Sequence, residues 1–278
     1  VVTIGPRTAE GSASALVPVG RIYRIAVIVF VGVFFLIPIV ASARYSFLGN
    51  NHSLTLGAYT SLFSTPEFWR TLWLSVRIGL GTVALTLVLL VPTVVWIDLR
   101  FPRARRIFEA LSLLPLVIPS VVVSLGVITS FKSFPNFFTG TPIILAFVYV
   151  VLALPYTYRT LDSAFSALDL KTLVEASSSL GAPGRTTLRS VLMPNARSGI
   201  LGAALLAFAF SMGEFVVASL LGFNTLPVYL LLVGQTEASQ AVALSLIALV
   251  FTWIPLAATM IIFGKKRRKR TTVLEEEV

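Results

Sequence analysis

Two groups of residues in this chain have types and spacing that could act on something outside it. The first is Glu175-Ala176-Ser177, followed after three residues by Gly181 and after nine more by Val191-Leu192-Met193-Pro194. A carboxylate such as Glu175 can pair with a basic or donor group, small Ala176 and Ser177 permit close approach of a partner surface, and Gly181 permits a tight turn. That is the chemistry of docking rather than of bond making. The second is Glu214, which with Ser211, Met212, Gly213 and Phe215 interrupts an apolar run. A carboxylate at mid-membrane costs about 2.5 to 3.5 kcal/mol on the insertion scale, so Glu214 serves either a structural hydrogen bond between helices or the lining of a solute pathway. Catalysis and metal binding lack their usual groups, since there is no cysteine and the one histidine, His52, lies in a polar stretch. We expect no catalytic residue, metal ligand or cofactor in this chain.

The elements that position these residues are set by composition. Of the 278 residues 56% are hydrophobic and 12% charged, with a mean hydropathy of +0.90. A soluble domain carries about twice that charge. Apolar runs near the roughly 20 residues that cross a bilayer recur along the chain. They predict an all-α polytopic membrane protein with six spans: Ile22 to Val40, Leu72 to Ile97, Ile107 to Ser130, Thr141 to Tyr158, Gly199 to Leu221 and Ala241 to Phe263. Kinks are expected at the internal prolines Pro38, Pro92, Pro115, Pro119 and Pro255, where neighbouring helices can satisfy the freed carbonyls. The run from Ile25 to Ala41 before the A-x-A-like Ala41-Ser42-Ala43 exceeds a secretory h-region, so the first span is expected to stay attached.

The net charge of +10 is explained by topology. With the N-terminus inside, 18 of the 22 lysines and arginines fall on cytoplasmic segments, among them Arg100, Arg103, Arg105, Arg106 and the run Lys265 to Arg270. Both termini are then cytoplasmic: a tail over 1–21, a membrane domain over 22–263, and a basic then acidic tail over 264–278. Arg44, Arg70 and Lys132 fall outside, and Arg77 near the outer end of the second span reads as a snorkelling side chain. Nucleic acid is not an expected partner.

Between the fourth and fifth spans lies a cytoplasmic loop from Arg159 to Ser198, too long to be structureless in a compact domain. Leu170, Leu173 and Val174 recur at i, i+3 and i+4, predicting a short amphipathic helix. Gly181, Pro183 and Gly184 end it, and a second short stretch runs up to Pro194.

These residues resemble the inner-membrane permeases of binding-protein-dependent ABC importers, whose cytoplasmic signature is E-A-A, three residues, G, nine residues, I-x-L-P. All spacings match. Ser177 replaces the second Ala, Val191 the Ile and Met193 the Leu. The resemblance covers about Leu72 to Phe263. It implies a type I importer fold in which two permeases, identical or homologous, pair over two ATPase subunits and receive solute from an extracytoplasmic binding protein. Each loop, through Glu175, Ala176, Ser177, Gly181, Val191, Met193 and Pro194, rests in a groove of one ATPase. ATP and Mg belong to that partner, for no G-x-x-x-x-G-K-[ST] occurs here.

The solute is read from thinner cues. Leu180-Gly181-Ala182 with Ser211 to Phe215 looks like permeases for polyamines, iron, thiamine, phosphonates or oxyanions, and Thr225-Leu226-Pro227-Val228 is similar to the polyamine permeases. A polyamine is therefore the expected solute. The alternative is a proton-coupled secondary carrier using Glu214, which leaves the loop signature unexplained.

Overall fold

The structure, a computed structural model, describes residues 17–48, 53–131, 140–255 and 257. His52, Lys132 and the C-terminal basic and acidic tail lie outside the described residues, as do residues 1–16 of the N-terminal tail. The described chain is helical, with one isolated bridge between Leu48 and Leu54.

Helix α1 (Val17–Ser46) is followed by short α2 (Gly57–Ser64) and long α3 (Pro66–Arg100). Both long helices outrun the apolar runs that predicted them, because Pro66 at the first turn and polar ends such as Glu67 and Arg100 extend the helix beyond the hydrocarbon. Pro38 and Pro92 sit inside these helices without ending them.

The third span is where a proline acts. Helices α4 (Arg105–Val117) and α5 (Ser120–Ser130) meet at 94°, so the single span expected from Ile107 to Ser130 is broken. Pro119 has no N–H and drives the preceding residue out of the helical region, and Ile118 is extended at φ −90°, ψ 117°.

Helix α6 (Ile143–Ser166) runs eight residues past the expected end at Tyr158. The continuation is amphipathic, with Leu161 and Phe165 fully buried. The loop that follows consequently begins after Ser166 rather than at Arg159. It holds α7 (Leu170–Ser179) and α8 (Gly184–Asn195), and α8 meets α9 (Arg197–Gly213) at 83°. After a break come α10 (Val216–Leu220), α11 (Leu226–Gly234) and α12 (Ala238–Pro255). Among the described residues four helices are long and apolar enough to cross a membrane, or up to six if each bent pair is one span.

Helices α3, α6 and α9 pack on one another as the body. Their approach is close: a β-carbon on Gly199 of α9 would overlap Ala164 of α6. Three apolar clusters follow along this body. One gathers Val91, Val94, Leu161, Phe165, Leu170, Leu192 and Ala196, so α7 and α8 share a core with the spans. The second joins Ile78, Tyr149 and Val217, and the third joins α2, α3, α11 and α12 through Leu62, Phe68, Leu226 and Leu244.

Candidate functional site

Helix α7 is built as the sequence predicts. Asp169 caps its start, accepting from the Thr172 N–H at 3.3 Å and the Thr172 hydroxyl at 2.7 Å. These bonds hold the Asp169 carboxyl below the usual carboxylate range. Leu170 is buried and Leu173 and Val174 are half-buried against the core shared with α3 and α6. The opposite face carries Glu175, Ala176, Ser178 and Ser179, all exposed. Glu175 forms no ion pair with the described residues.

The end of α7 is a two-bond turn. The Ala182 N–H donates to Ser177 O at 3.1 Å and the Gly181 N–H to Ser178 O at 2.9 Å, with Gly181 at φ +76°. This is the left-handed helix stop that glycine makes without strain. The space around Gly181 is open, since a β-carbon there would meet nothing within 4 Å. Within this chain glycine is needed for its dihedral rather than for clearance. Just before it Leu180 is 88% exposed, a large apolar side chain at the tip of the loop.

The signature divides into two faces. Glu175, Ala176, Gly181 and Pro194 point outward, whereas Val191 and Met193 pack on the membrane-side core. Ser177 departs from the expectation of close approach to a partner. It is buried, and its hydroxyl meets the Thr187 hydroxyl at 2.7 Å, tying α7 to α8. Its small size serves internal packing, because it sits one turn after Leu173 on the inward side.

Helix α8 contains a wide turn over Thr187–Leu192, where the Met193 N–H donates to Leu188 O, five residues back. Pro194 supplies the reason: it has no N–H to continue the α ladder. The Asn195 side chain donates to Val191 O at 2.8 Å and steadies the last turn.

Glu214 lies at the break between α9 and α10, and is 8% exposed. Its carboxylate oxygens accept from the Val217 N–H at 3.2 and 3.4 Å, so it caps the start of α10. Arg77 is exposed on α3. No cluster of three or more metal-ligating side chains occurs among the described residues.

The features that sequence reasoning missed are Leu180, the wide turn and an ion cluster where α3, α4 and α6 meet. There Arg105 Nη2 donates to Asp162 Oδ2 at 2.6 Å, and its Nε lies 3.9 Å from Asp98 Oδ1. The signal available was two aspartates placed just inside or beside apolar runs; Arg105 had been absorbed into the topological charge count.

Residues 91–269 match the family described as "Binding-protein-dependent transport system inner membrane component". Among similar proteins, the molybdenum transport system permease protein ModB of Azotobacter vinelandii is 31% identical over 54% of this chain and 73% of its own length. ModB of Mycobacterium tuberculosis is 32% identical over 69% of this chain and 78% of its own. The ferric transport system permease protein FbpB of Actinobacillus pleuropneumoniae is 28% identical over 76% of this chain and 31% of its own length. A chain from a crystal structure of an amino acid ABC transporter with histidines aligns with a TM-score of 0.52 at 17% identity, covering 74% of this chain and 97% of that one. That last likeness speaks to the fold.

Proposed function

The chain belongs to the family of binding-protein-dependent transport system inner membrane components, and from that premise we propose that α7 with the Gly181 turn is the element through which a separate ATPase drives it. The protein is an integral membrane permease component of an ABC importer, not an enzyme. The observation carrying the coupling assignment is the split of the loop signature, with Glu175, Ala176 and the 88%-exposed Leu180 outward while Val191 and Met193 join the core of the spans. A helix gripped on one side and rooted on the other transmits displacement.

The working transporter contains two permeases, identical or homologous, over two ATPase subunits, with both permease termini cytoplasmic. ATP closes the ATPase pair, the two α7 helices move together, and the cavity between the permeases turns outward to receive solute from the binding protein. The arginines at the α3–α4 edge and on α8 support this orientation.

For the solute, the molybdenum permeases among the relatives favour an oxyanion such as molybdate, with ferric iron second. The polyamine expectation finds no support in them. Nor does anything favour the proton-coupled carrier: the Glu214 carboxylate is occupied with the Val217 N–H. Purify the chain with its bound ATPase and binding protein, reconstitute it, and measure uptake of labelled molybdate with competitors. We expect ATP-dependent uptake competed by tungstate and untouched by spermidine. Competition by spermidine alone would overturn the oxyanion reading, and uptake surviving loss of the ATPase would overturn the importer mechanism.

A further inference from the structure

Helix α4 is rooted along one side only, where it packs on α6. Of its residues only Ser112 is buried; Ile107, Leu111, Leu114 and Val117 are all exposed. The 94° bend at Ile118 and Pro119 separates it from α5, so the chain beyond gives it little stiffness. At its other end stands Arg105, the first residue of α4, whose guanidinium reaches two carboxylates on two other helices: Asp162 Oδ2 on α6 at 2.6 Å and Asp98 Oδ1 on α3 at 3.9 Å.

Both carboxylates belong to the body that carries the docking helix. Asp98 follows Val94 and Val95 on α3 by one turn, and Asp162 follows Leu161 on α6; those apolar residues share their cluster with Leu170 of α7, Leu192 of α8 and Ala196. The second oxygens, Asp98 Oδ2 and Asp162 Oδ1, are buried without a hydrogen-bond partner. Two carboxylates thus share one guanidinium. Among the described residues Arg105 alone of the four arginines at this edge forms an ion pair. A requirement for positive charge in the cytoplasm is met by any of the four and does not explain the geometry. A forked donor can bridge two acids, which an ammonium group does less well.

Resting on the transport reading above, we propose that Arg105 is a positioning residue that makes α4 move with the coupling platform, by clasping Asp98 of α3 and Asp162 of α6. When α7 is displaced, α3 and α6 move with it through their common core, and the clasp carries α4 along. Without the clasp the platform still moves but α4 lags, and hydrolysis proceeds without transport.

The test uses the whole transporter in proteoliposomes, with Arg105→Gln, Arg105→Lys and Asp162→Asn. Because the chain has no cysteine, Leu111→Cys on α4 gives a single labelling site whose maleimide reactivity is followed with and without ATP, independently of the solute. In the wild-type background we expect ATP to change that reactivity several-fold. Arg105→Gln and Asp162→Asn abolish the change, keep the ATPase bound and hydrolysing, and lower molybdate uptake at least tenfold; Arg105→Lys recovers part of both. Three results overturn the proposal: an unchanged ATP response in Arg105→Gln, no ATP response at Leu111→Cys in the wild-type background, or loss of ATPase binding in Arg105→Gln, which makes the residue one of folding. A wild-type complex that binds no ATPase overturns the transport reading instead, and one that hydrolyses ATP without taking up molybdate overturns only the choice of solute.

Discussion

Gly181 and Glu214 show how a residue's chemistry depends on what surrounds it. Since Gly181 has φ +76° and open space around it, a side chain there costs conformational energy of about 1 to 2 kcal/mol without a clash in this chain. Asn tolerates that dihedral better than Val. We expect Gly181→Val to lower uptake strongly in either case. Gly181→Asn is the informative variant: near-normal uptake means that the turn alone matters, and a loss as large as that of Gly181→Val means that an ATPase surface comes close. Uptake at matched permease levels separates these. Leu180→Ser removes the apolar tip and should weaken ATPase retention in co-purification while leaving insertion intact.

Glu214 acts as a cap in this structure, which separates its substitutions. Gln keeps an acceptor for the Val217 N–H, whereas Ala removes it at a cost of about 0.5 to 2 kcal/mol. If capping is its task, Glu214→Gln transports nearly normally and Glu214→Ala loses both thermal stability and uptake. If it lines the solute path, Gln already changes solute-stimulated hydrolysis. Asp169 gives a pH expectation. Its folded carboxyl is held below the usual range by Thr172, so its contribution is present above the unfolded value and lost only as pH falls through the lower folded one. Docking should therefore be insensitive to this group between pH 5 and 8, and Thr172→Val should move its loss on acidification to a higher pH, read as ATPase retention against pH.

At the scale of elements, the spans and the helix-turn-helix loop were legible because apolar length and i, i+3, i+4 spacing set them locally. Leu170, Leu173 and Val174 face the core as the spacing requires. The spacing could not say where a proline breaks a helix and where it is absorbed: Pro92 lies inside α3, yet Pro119 turns the third span by 94°. The residue before Pro119, Ile118, is extended, whereas the one before Pro92 stays within α3, and the two proline contexts do not announce that difference in sequence. The same holds for Ser177, whose partner Thr187 is ten residues away on another helix, and for Arg105, whose partner Asp162 is 57 residues away. The loop signature was legible in its residues but not in its division into inward and outward sides. One consequence concerns Pro194. Restoring an N–H with Pro194→Ala permits the wide turn over Thr187–Leu192 to tighten. That would rotate α8 relative to α9 and shift α7 against the spans. We expect normal insertion and ATPase binding with reduced uptake per ATP hydrolysed, measured in the same vesicles.

For the whole molecule, the expected assembly is two permeases over two ATPases, and the mass of the intact complex checks it. One permease per active complex would remove the paired-lever mechanism. Topology is tested with single cysteines and an impermeant maleimide. A cysteine in place of Lys171 should react only from the cytoplasmic side, and one in place of Leu54 only from outside.

Helix α1 stands apart from that assembly of packed spans. From Tyr23 to Val40 its side chains are almost all exposed, and it touches the rest at its C-terminal end, where the Ser46 hydroxyl meets the Tyr59 hydroxyl at 2.8 Å. Its 30 residues measure about 45 Å at 1.5 Å per residue, against a hydrocarbon layer of about 30 Å. A helix interlocked with neighbours, as α6 is, cannot change its inclination without breaking contacts. Helix α1, anchored near Ser46 and exposed over most of its length, can lean at little cost. It is the part of this chain that can accommodate bilayers of different thickness, tilting more in thin ones and standing upright in thick ones, while the packed helices keep their geometry.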